Sequence, residues 1–102
     1  MTILKYEGIW PVAPTPFREN GSVDYNGMKN VLSCMIDQGV DGICILANYS
    51  EQFLLSDDER QKLTQLSIDH IGERKPIIVA ISHYSTHIAV ERARMAKQLG
   101  AA

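Results

Sequence analysis

Short unbroken apolar runs alternate along the chain with longer segments in which apolar residues recur every three or four positions. An unbroken run is typical of a strand that is buried on both faces of a parallel sheet, whereas the longer spacing is typical of a helix with one buried face. The predicted strands lie near residues 9–13, 43–47 and 77–81, and the predicted helices near residues 25–38, 57–71 and 86–99. The alternating order of strands and helices predicts an α/β fold with parallel strands and right-handed crossovers.

Residues at the ends of the three periodic segments support these helices. Asp24 is a good N-cap for the first, Ser56 and Glu59 form a capping-box pattern before the second, and Ser85 or Thr86 can cap the third. Glycines that can end the three helices follow at 39, 72 and 100. The first helix should pack on the sheet through Met28, Val31, Leu32, Met35 and Ile36. The first strand should be brief or irregular, because Pro11 and Pro14 interrupt its apolar run.

Composition and charge narrow the class of protein and of partner. The chain has 102 residues, 45% hydrophobic and 22% charged, as expected of one globular domain. A formal net charge of -2 gives no field that favours nucleic acid or an anionic membrane as a partner. No stretch approaches the roughly 18 apolar residues of a membrane span, so a cytoplasmic protein with a small-molecule or protein partner is expected. Cys34 and Cys44 are interpreted as buried hydrophobic residues, and no metal, redox or cofactor role is indicated.

Candidate binding residues follow the predicted strands, because ligands of parallel α/β folds bind at the carboxyl ends of the strands. After the second strand, Asn48, Tyr49 and Ser50 offer an amide and two hydroxyls that can hold a carboxylate; the alternative is a polar loop with local hydrogen bonds. After the third strand, His83 can act as an acid, a base or a hydrogen-bond donor, or it is structural or solvated. Glu51 stands directly after a buried strand, so its carboxylate is expected to need a partner.

Several short motifs together resemble the dihydrodipicolinate synthase and N-acetylneuraminate lyase family. In chain order they are Gly8–Phe17 ending in Thr-Pro-Phe, Val23–Asp24, Gly39–Gly42, Leu55–Arg60, Pro76–Ile78 and Leu99–Ala101. Each motif is weak alone, but their order and spacing cover nearly the whole chain. The resemblance implies a (β/α)₈ barrel, of which this chain would be the N-terminal three βα units, since such a barrel takes about 250 residues.

The resemblance also implies a reaction. Members of the family join a lysine to the keto group of pyruvate or another 2-keto acid as a Schiff base, and the protonated imine stabilises a neighbouring carbanion so that C–C or C–O bonds can break. The family's lysine and catalytic tyrosine belong to later strands, beyond Ala102, so no catalytic residue is expected in this chain. Its own lysines, none of them at the carboxyl end of a predicted strand, are Lys5, Lys29, Lys62, Lys75 and Lys97. The chain alone is therefore expected to be inactive.

One motif departs from the family. Where members commonly have Gly-Thr-Thr-Gly-Glu after the second strand, this chain has residues 47–51 with the sequence Ala-Asn-Tyr-Ser-Glu. The two threonines that bind the keto-acid carboxylate and help to relay protons map onto Asn48 and Tyr49. This loop, with residues 82–86 after the third strand, is more similar to the sugar-acid branch of the family, notably 2-keto-3-deoxy-arabonate dehydratases. In that branch, Asn48 and His83 are expected to donate hydrogen bonds to the sugar hydroxyls.

Two other interpretations remain at this level. One is a self-sufficient flavodoxin-like binding module, although that fold normally uses five strands. The other is a non-catalytic α/β assembly module that folds only when its open sheet edge pairs with another copy or with the rest of a barrel. As part of a barrel enzyme the chain is likewise expected to form a homo-oligomer or to pair with the rest of the barrel, with Ile77, Val79 and Ile81 near the contact.

Overall fold

The computed structural model describes residues 6–102, which form three helices and a short parallel sheet. The regular elements are α1 (Tyr25–Asp37), β1 (Ile43–Ile45), α2 (Asp57–Ile71), β2 (Ile77–Val79) and α3 (Thr86–Leu99). Two 3₁₀ helices, Asn48–Ser50 and Gln52–Leu54, lie between β1 and α2. Helices therefore alternate with strands, as the apolar pattern predicts.

The strands β1 and β2 are parallel neighbours, with Ile43 opposite Ile77 and Ile45 opposite Val79. This confirms the predicted parallel pairing. A further backbone bond, from Ala80 N to Ile45 O at 3.1 Å, continues the ladder one step past β2. Both strands are shorter than their apolar runs; β1 ends at Ile45 because Leu46 has a left-handed backbone, with φ of 60°.

The segment 9–13, predicted as the first strand, does not form a regular strand. It makes one isolated parallel bridge, between Val12 and Cys44, with backbone bonds from Ala13 N to Cys44 O (2.8 Å) and from Cys44 N to Pro11 O (2.9 Å). The prolines at 11 and 14 have no N–H to donate, which prevents a longer ladder. The segment still lies beside β1, so β1 has a neighbour on each side.

Side-chain caps hold the three helices where the sequence predicts them. The Asp24 carboxylate accepts a hydrogen bond from Gly27 N at 2.9 Å. At α2, Glu59 N donates to Ser56 Oγ at 3.1 Å and Ser56 N donates to Glu59 Oε1 at 2.9 Å, which is a complete capping box. Ser85 Oγ accepts from Ile88 N at the start of α3. The predicted caps are confirmed.

The core lies between the sheet and helices α1 and α2. Met28 and Leu32 are fully buried there, and the partly buried Val31, Met35 and Ile36 pack against the same cluster. Cys34 is exposed, so the prediction that it is buried was wrong: it follows Leu32 by two positions, which places it about 200° around the helix from the buried face. Cys44 is half-buried, and desolvation raises the pKa of its thiol. Within residues 6–102, no helix is long and apolar enough to span a membrane.

Candidate functional site at the carboxyl ends of the strands

The loop after β1 begins and ends with an unusual backbone conformation. Leu46 and Glu51 have φ values of 60° and 59°, in the left-handed region that residues with a Cβ seldom adopt. Between them the chain turns through the 3₁₀ helix Asn48–Ser50. Non-glycine residues persist in this conformation only where surrounding contacts hold them, and they concentrate at functional sites. This loop is therefore a strong candidate for a binding role.

Ser50 supports the loop from inside. Its side chain is completely buried, and its hydroxyl donates to the backbone oxygen of Ala13 in the neighbouring 9–13 segment. The prediction from sequence placed this hydroxyl toward a ligand, whereas in the structure its hydrogen is used within the protein. Ser50 thus ties the candidate site to the sheet.

Asn48 and Tyr49 are the members of this loop that face outward. Both are exposed, Tyr49 with 69% of its surface accessible, and Asn48 Oδ1 accepts a hydrogen bond from Gln52 Nε2 at 3.0 Å. Glu51 is also exposed. The expectation was a carboxylate that needs either a backbone donor or a substrate-side group; because Glu51 is exposed, its carboxylate can be solvated without a backbone donor.

His83 lies on the neighbouring loop, after β2. Its ring is half-buried, and Nδ1 accepts a hydrogen bond from Ser85 N at 2.9 Å, so the neutral ring carries its proton on Nε2. Tyr84, 94% exposed, stacks on Phe53 with ring centroids 6.1 Å apart and meets the His83 ring edge-on. The stacked pair brings together the loops that carry His83 and Asn48.

Two buried residues that the sequence did not identify connect the same loops from below. Gln52 is 3% exposed and Arg60 is 1% exposed. Arg60 Nη2 donates to Ala80 O at 3.0 Å, and Nη1 lies 3.4 Å from Gln52 Oε1. Desolvation, with repulsion from Arg92, lowers the pKa of Arg60 to about 10, and attraction from Asp57 partly offsets the shift. The guanidinium is thus protonated at neutral pH.

A signal for the burial of Arg60 exists in the sequence. Arg60 begins a helical stripe, and the buried residues that continue it are Leu63, Thr64, Ser67 and Ile71. An arginine beside acidic residues at a helix start is typical of an exposed position, so only the spacing of Arg60 from the other buried residues indicates its burial. The other carboxyl-end segment, residues 14–17, contributes Thr15, which is 5% exposed and whose hydroxyl has no hydrogen-bond partner in the described part of the chain.

Metal binding has no support among residues 6–102, where no group of three or more His, Cys, Asp or Glu side chains is arranged to hold an ion. The site instead combines an outward amide, a phenol, an imidazole and a buried guanidinium. Such groups bind oxygen-rich, hydrogen-bonding ligands such as carboxylates and polyols.

Residues 5–102 match the model of the Dihydrodipicolinate synthetase family. The chain belongs to this family. The resemblance seen in the motifs is thus confirmed, and the match covers every residue that the structure describes.

Individual members of the dihydrodipicolinate synthetase family and its structural relatives give the same result. The chain is 49% identical to L-2-keto-3-deoxyarabonate dehydratase of Azospirillum brasilense over 98 residues, which is 96% of this chain and 32% of that protein. Its structure superposes on a putative dihydrodipicolinate synthetase from Pseudomonas aeruginosa with a TM-score of 0.92 at 32% identity, over 95% of this chain and 33% of the other. For N-acetylneuraminate lyase from Mycoplasma synoviae the TM-score is 0.88 at 29% identity, over 94% and 33%.

These matches define the fold. The structural relatives are (β/α)₈ barrels of the family, so the chain is a part of that barrel with parallel strands, as the motifs imply. The chain spans about a third of the length of the relatives that it matches.

Proposed function

We propose that this chain is the N-terminal segment of a Schiff-base lyase of the family that acts on a 2-keto acid, specifically a 2-keto-3-deoxy sugar acid dehydratase or aldolase. The single observation that carries the proposal is the 49% identity to L-2-keto-3-deoxyarabonate dehydratase over 96% of the chain. The loop after β1 supports it, because Asn48 and Tyr49 stand where the synthase branch has two threonines. A changed binding loop on a shared fold is expected where the substrate differs.

Asn48, Tyr49 and His83 are proposed to hold the substrate. The Asn48 amide and the Tyr49 hydroxyl are exposed beside the end of β1, where they can donate to a carboxylate. The Nε2–H of His83 can donate to a sugar hydroxyl from the adjacent loop, because Nδ1 is already occupied by Ser85 N. Ser50, buried and bonded to Ala13, contributes by fixing the backbone of the loop.

The imine lysine is proposed to come from elsewhere in the barrel. Lys29, Lys62 and Lys97 lie on the three helices, and Lys75 precedes β2 at its amino end. Lys5 lies outside the described residues. None of these four described lysines lies in a loop at the carboxyl end of a strand, where an imine has to form. The 102-residue chain is proposed to contribute substrate-binding residues but no group that reacts with the substrate.

Trapping the imine tests both parts of this proposal. With pyruvate and borohydride, the complete protein that carries this segment should gain one covalent adduct per chain, and it should dehydrate or cleave a 2-keto-3-deoxy pentonate such as 2-keto-3-deoxyarabonate. The 102-residue chain under the same conditions should gain none. The measurement is intact-protein mass spectrometry followed by peptide mapping. A stoichiometric adduct on one of the five lysines of this chain, or a complete protein that forms no adduct, contradicts the proposal.

We also propose that the outer edge of β2 pairs with further polypeptide, from the rest of the barrel or from a second copy. Ile78, Val79 and Ile81 are half-buried and line an apolar cavity of about 460 Å³ with residues of α3. Ala102 N donates to Ile77 O at 2.8 Å, and Ile77 is only 4% exposed, so this residue is already covered. Of the three residues expected near the contact, Val79 and Ile81 therefore remain available for pairing.

Sedimentation of the 102-residue chain tests the pairing. Apolar surface beside an unpaired strand edge favours association, so the chain should self-associate at micromolar concentration. Val79→Lys should weaken that association, whereas Val90→Lys, on an exposed position of α3, should leave it unchanged. A cooperatively unfolding monomer at this concentration would exclude the pairing.

A further inference from the structure

We infer that Arg60 and Gln52 are positioning residues that fix the orientation of the Asn48 amide, so that its Nδ2 hydrogens face the substrate and select an oxygen that accepts a hydrogen bond. The inference rests on the proposed function for the identity of the substrate. It assigns a role to the two buried residues beneath the site and gives the hydrogen bond to the substrate a direction.

The orientation begins at Arg60, because a guanidinium has five N–H donors and no acceptor. The side chain is 1% exposed, and Nη2 is already bonded to Ala80 O at 3.0 Å. Nη1 faces the amide of Gln52 at 3.4 Å. Of the two ends of that amide, only the oxygen can receive a hydrogen from Arg60, and a guanidinium charge favours the oxygen further.

Gln52 transmits this choice. Its side chain is 3% exposed, so it cannot exchange its partners for water. With Oε1 directed at Arg60, Nε2 is directed at the side chain four residues earlier, and it lies 3.0 Å from Asn48 Oδ1. A donor at that position requires an acceptor opposite it, so the oxygen of the Asn48 amide has to face Gln52.

Asn48 presents the result at the surface. With Oδ1 accepting from Gln52, the two hydrogens of Nδ2 remain for an external partner, and the residue is exposed. An asparagine without this support presents its oxygen and its nitrogen to water in either order. The chain of three side chains therefore converts an ambiguous amide into a defined donor. The ligand of this donor is a carboxylate or hydroxyl oxygen, and a 2-keto-3-deoxy sugar acid carries both groups.

The positive charge that starts the series persists over the working range of an enzyme. Burial and Arg92 lower the pKa of Arg60 to about 10 and Asp57 raises it in part, which leaves the group protonated near neutral pH. The loops that it joins are the two that carry the candidate site, since Ala80 lies at the end of β2 and Gln52 follows β1. Arg60 thus also fixes the distance between them.

Gln52→Glu in the complete protein reverses the orientation with little change of shape. The new carboxylate still accepts from Arg60, but it cannot donate to Asn48, so the Asn48 amide turns to give its own N–H inward and its oxygen outward. The outward oxygen repels a carboxylate. KM for 2-keto-3-deoxyarabonate should rise about tenfold or more, the size of one lost charge-assisted hydrogen bond. The value of kcat should change less than twofold, and the thermal midpoint should not fall, because the Arg60 contact is kept.

Gln98→Glu is the matched control, since it makes the same charge change at an exposed position of α3 and should leave KM unchanged. Selective ¹⁵N-asparagine labelling gives a second readout that needs no turnover. In the parent protein, the Asn48 side-chain NH₂ should exchange rapidly with water, whereas in Gln52→Glu it should be protected and shifted by the carboxylate.

These measurements separate the inference from the proposed function. A parent protein that neither traps nor converts a 2-keto acid removes the proposed function, and the amide signal of Asn48 still decides the orientation. Conversely, a parent that turns over substrate while Gln52→Glu keeps its KM and its Asn48 amide signal overturns the inference. A rise in KM accompanied by a parallel fall in kcat and in the thermal midpoint of Gln52→Glu also overturns it, because it would show that Gln52 only supports the fold.

Discussion

The two ends of the same small sheet are built in different ways. At the amino end, the 9–13 segment packs closely against the start of β1: a Cβ added to Gly42 would lie 2.3 Å from the Trp10 ring, and the Asp41 carboxylate accepts from Ile9 N at 2.7 Å. At the carboxyl end, a buried guanidinium and amide lie beneath a loop with two left-handed residues, and aromatic rings are exposed. One end has little room for change, whereas the other presents many polar groups.

This contrast distinguishes the end of the sheet whose contacts stabilise the fold from the end that retains features that lower its stability. A left-handed backbone at Leu46 and a buried charge at Arg60 each oppose folding. They are tolerated at the carboxyl end, where barrels of this class place their ligands. At the amino end, Gly42 has no side chain, and the Trp10 ring occupies the space that a Cβ would fill. The two ends should therefore respond to substitution in opposite ways.

Asn48→Ala should produce the largest effect, and chiefly on catalysis. In the complete protein, kcat/KM for a 2-keto-3-deoxy pentonate should fall by an amount that corresponds to about 1.5 to 3 kcal/mol, because one hydrogen bond to a charged group is lost. The urea midpoint should fall only modestly, since Asn48 is exposed and its one contact with a buried side chain is the hydrogen bond that Oδ1 accepts from Gln52 Nε2. Steady-state kinetics and urea titration measure the two quantities.

Ser50→Ala and Tyr49→Phe complete that experiment. Ser50→Ala should raise KM less than Asn48→Ala does, because the Ser50 hydroxyl hydrogen is donated to Ala13 O and the residue acts on the substrate only through the backbone of the loop. Tyr49→Phe tests whether the phenol contributes. If both Asn48→Ala and Tyr49→Phe retain full kcat/KM, neither side chain binds substrate, and the carboxylate is held by other groups.

The sequence predicts the helices and strands better than it predicts the contacts within the candidate site. Helix caps are local: Asp24, Ser56 and Ser85 each bond a residue three positions on, so a short pattern suffices to identify them. Strand pairing follows from apolar runs that have to be covered on both faces. The rule that ligands meet the carboxyl ends of strands selected Asn48 and His83 as candidates without any knowledge of their contacts.

The supporting residues of the site were missed for a different reason. Arg60 reaches Gln52 across eight residues and Ala80 across twenty, and such contacts depend on how α2 lies on the sheet. The left-handed backbone of Leu46 was equally hidden, because no glycine marks it. These features arise from tertiary packing that overrides local preference.

The amino end should show the opposite response to the same kind of substitution. Gly42→Ala places a methyl group 2.3 Å from the Trp10 ring, so the ring or the backbone has to move. Overpacking of this kind lowers the free energy of unfolding by about 1 to 3 kcal/mol. In the complete protein the urea midpoint should therefore fall. The value of kcat/KM, measured without urea where the variant is folded, should remain that of the parent.

A double-mutant cycle with Trp10→Leu isolates the clash. Trp10→Leu alone removes packing, but it also makes space for the methyl group, so the double variant should lose less stability than the sum of the two single changes. Strict additivity would mean that Trp10 does not occupy the space above Gly42. A Gly42→Ala protein with parent stability and reduced kcat/KM would reverse the comparison altogether, because the amino end would then act on substrate and the carboxyl end could no longer be assigned that role alone.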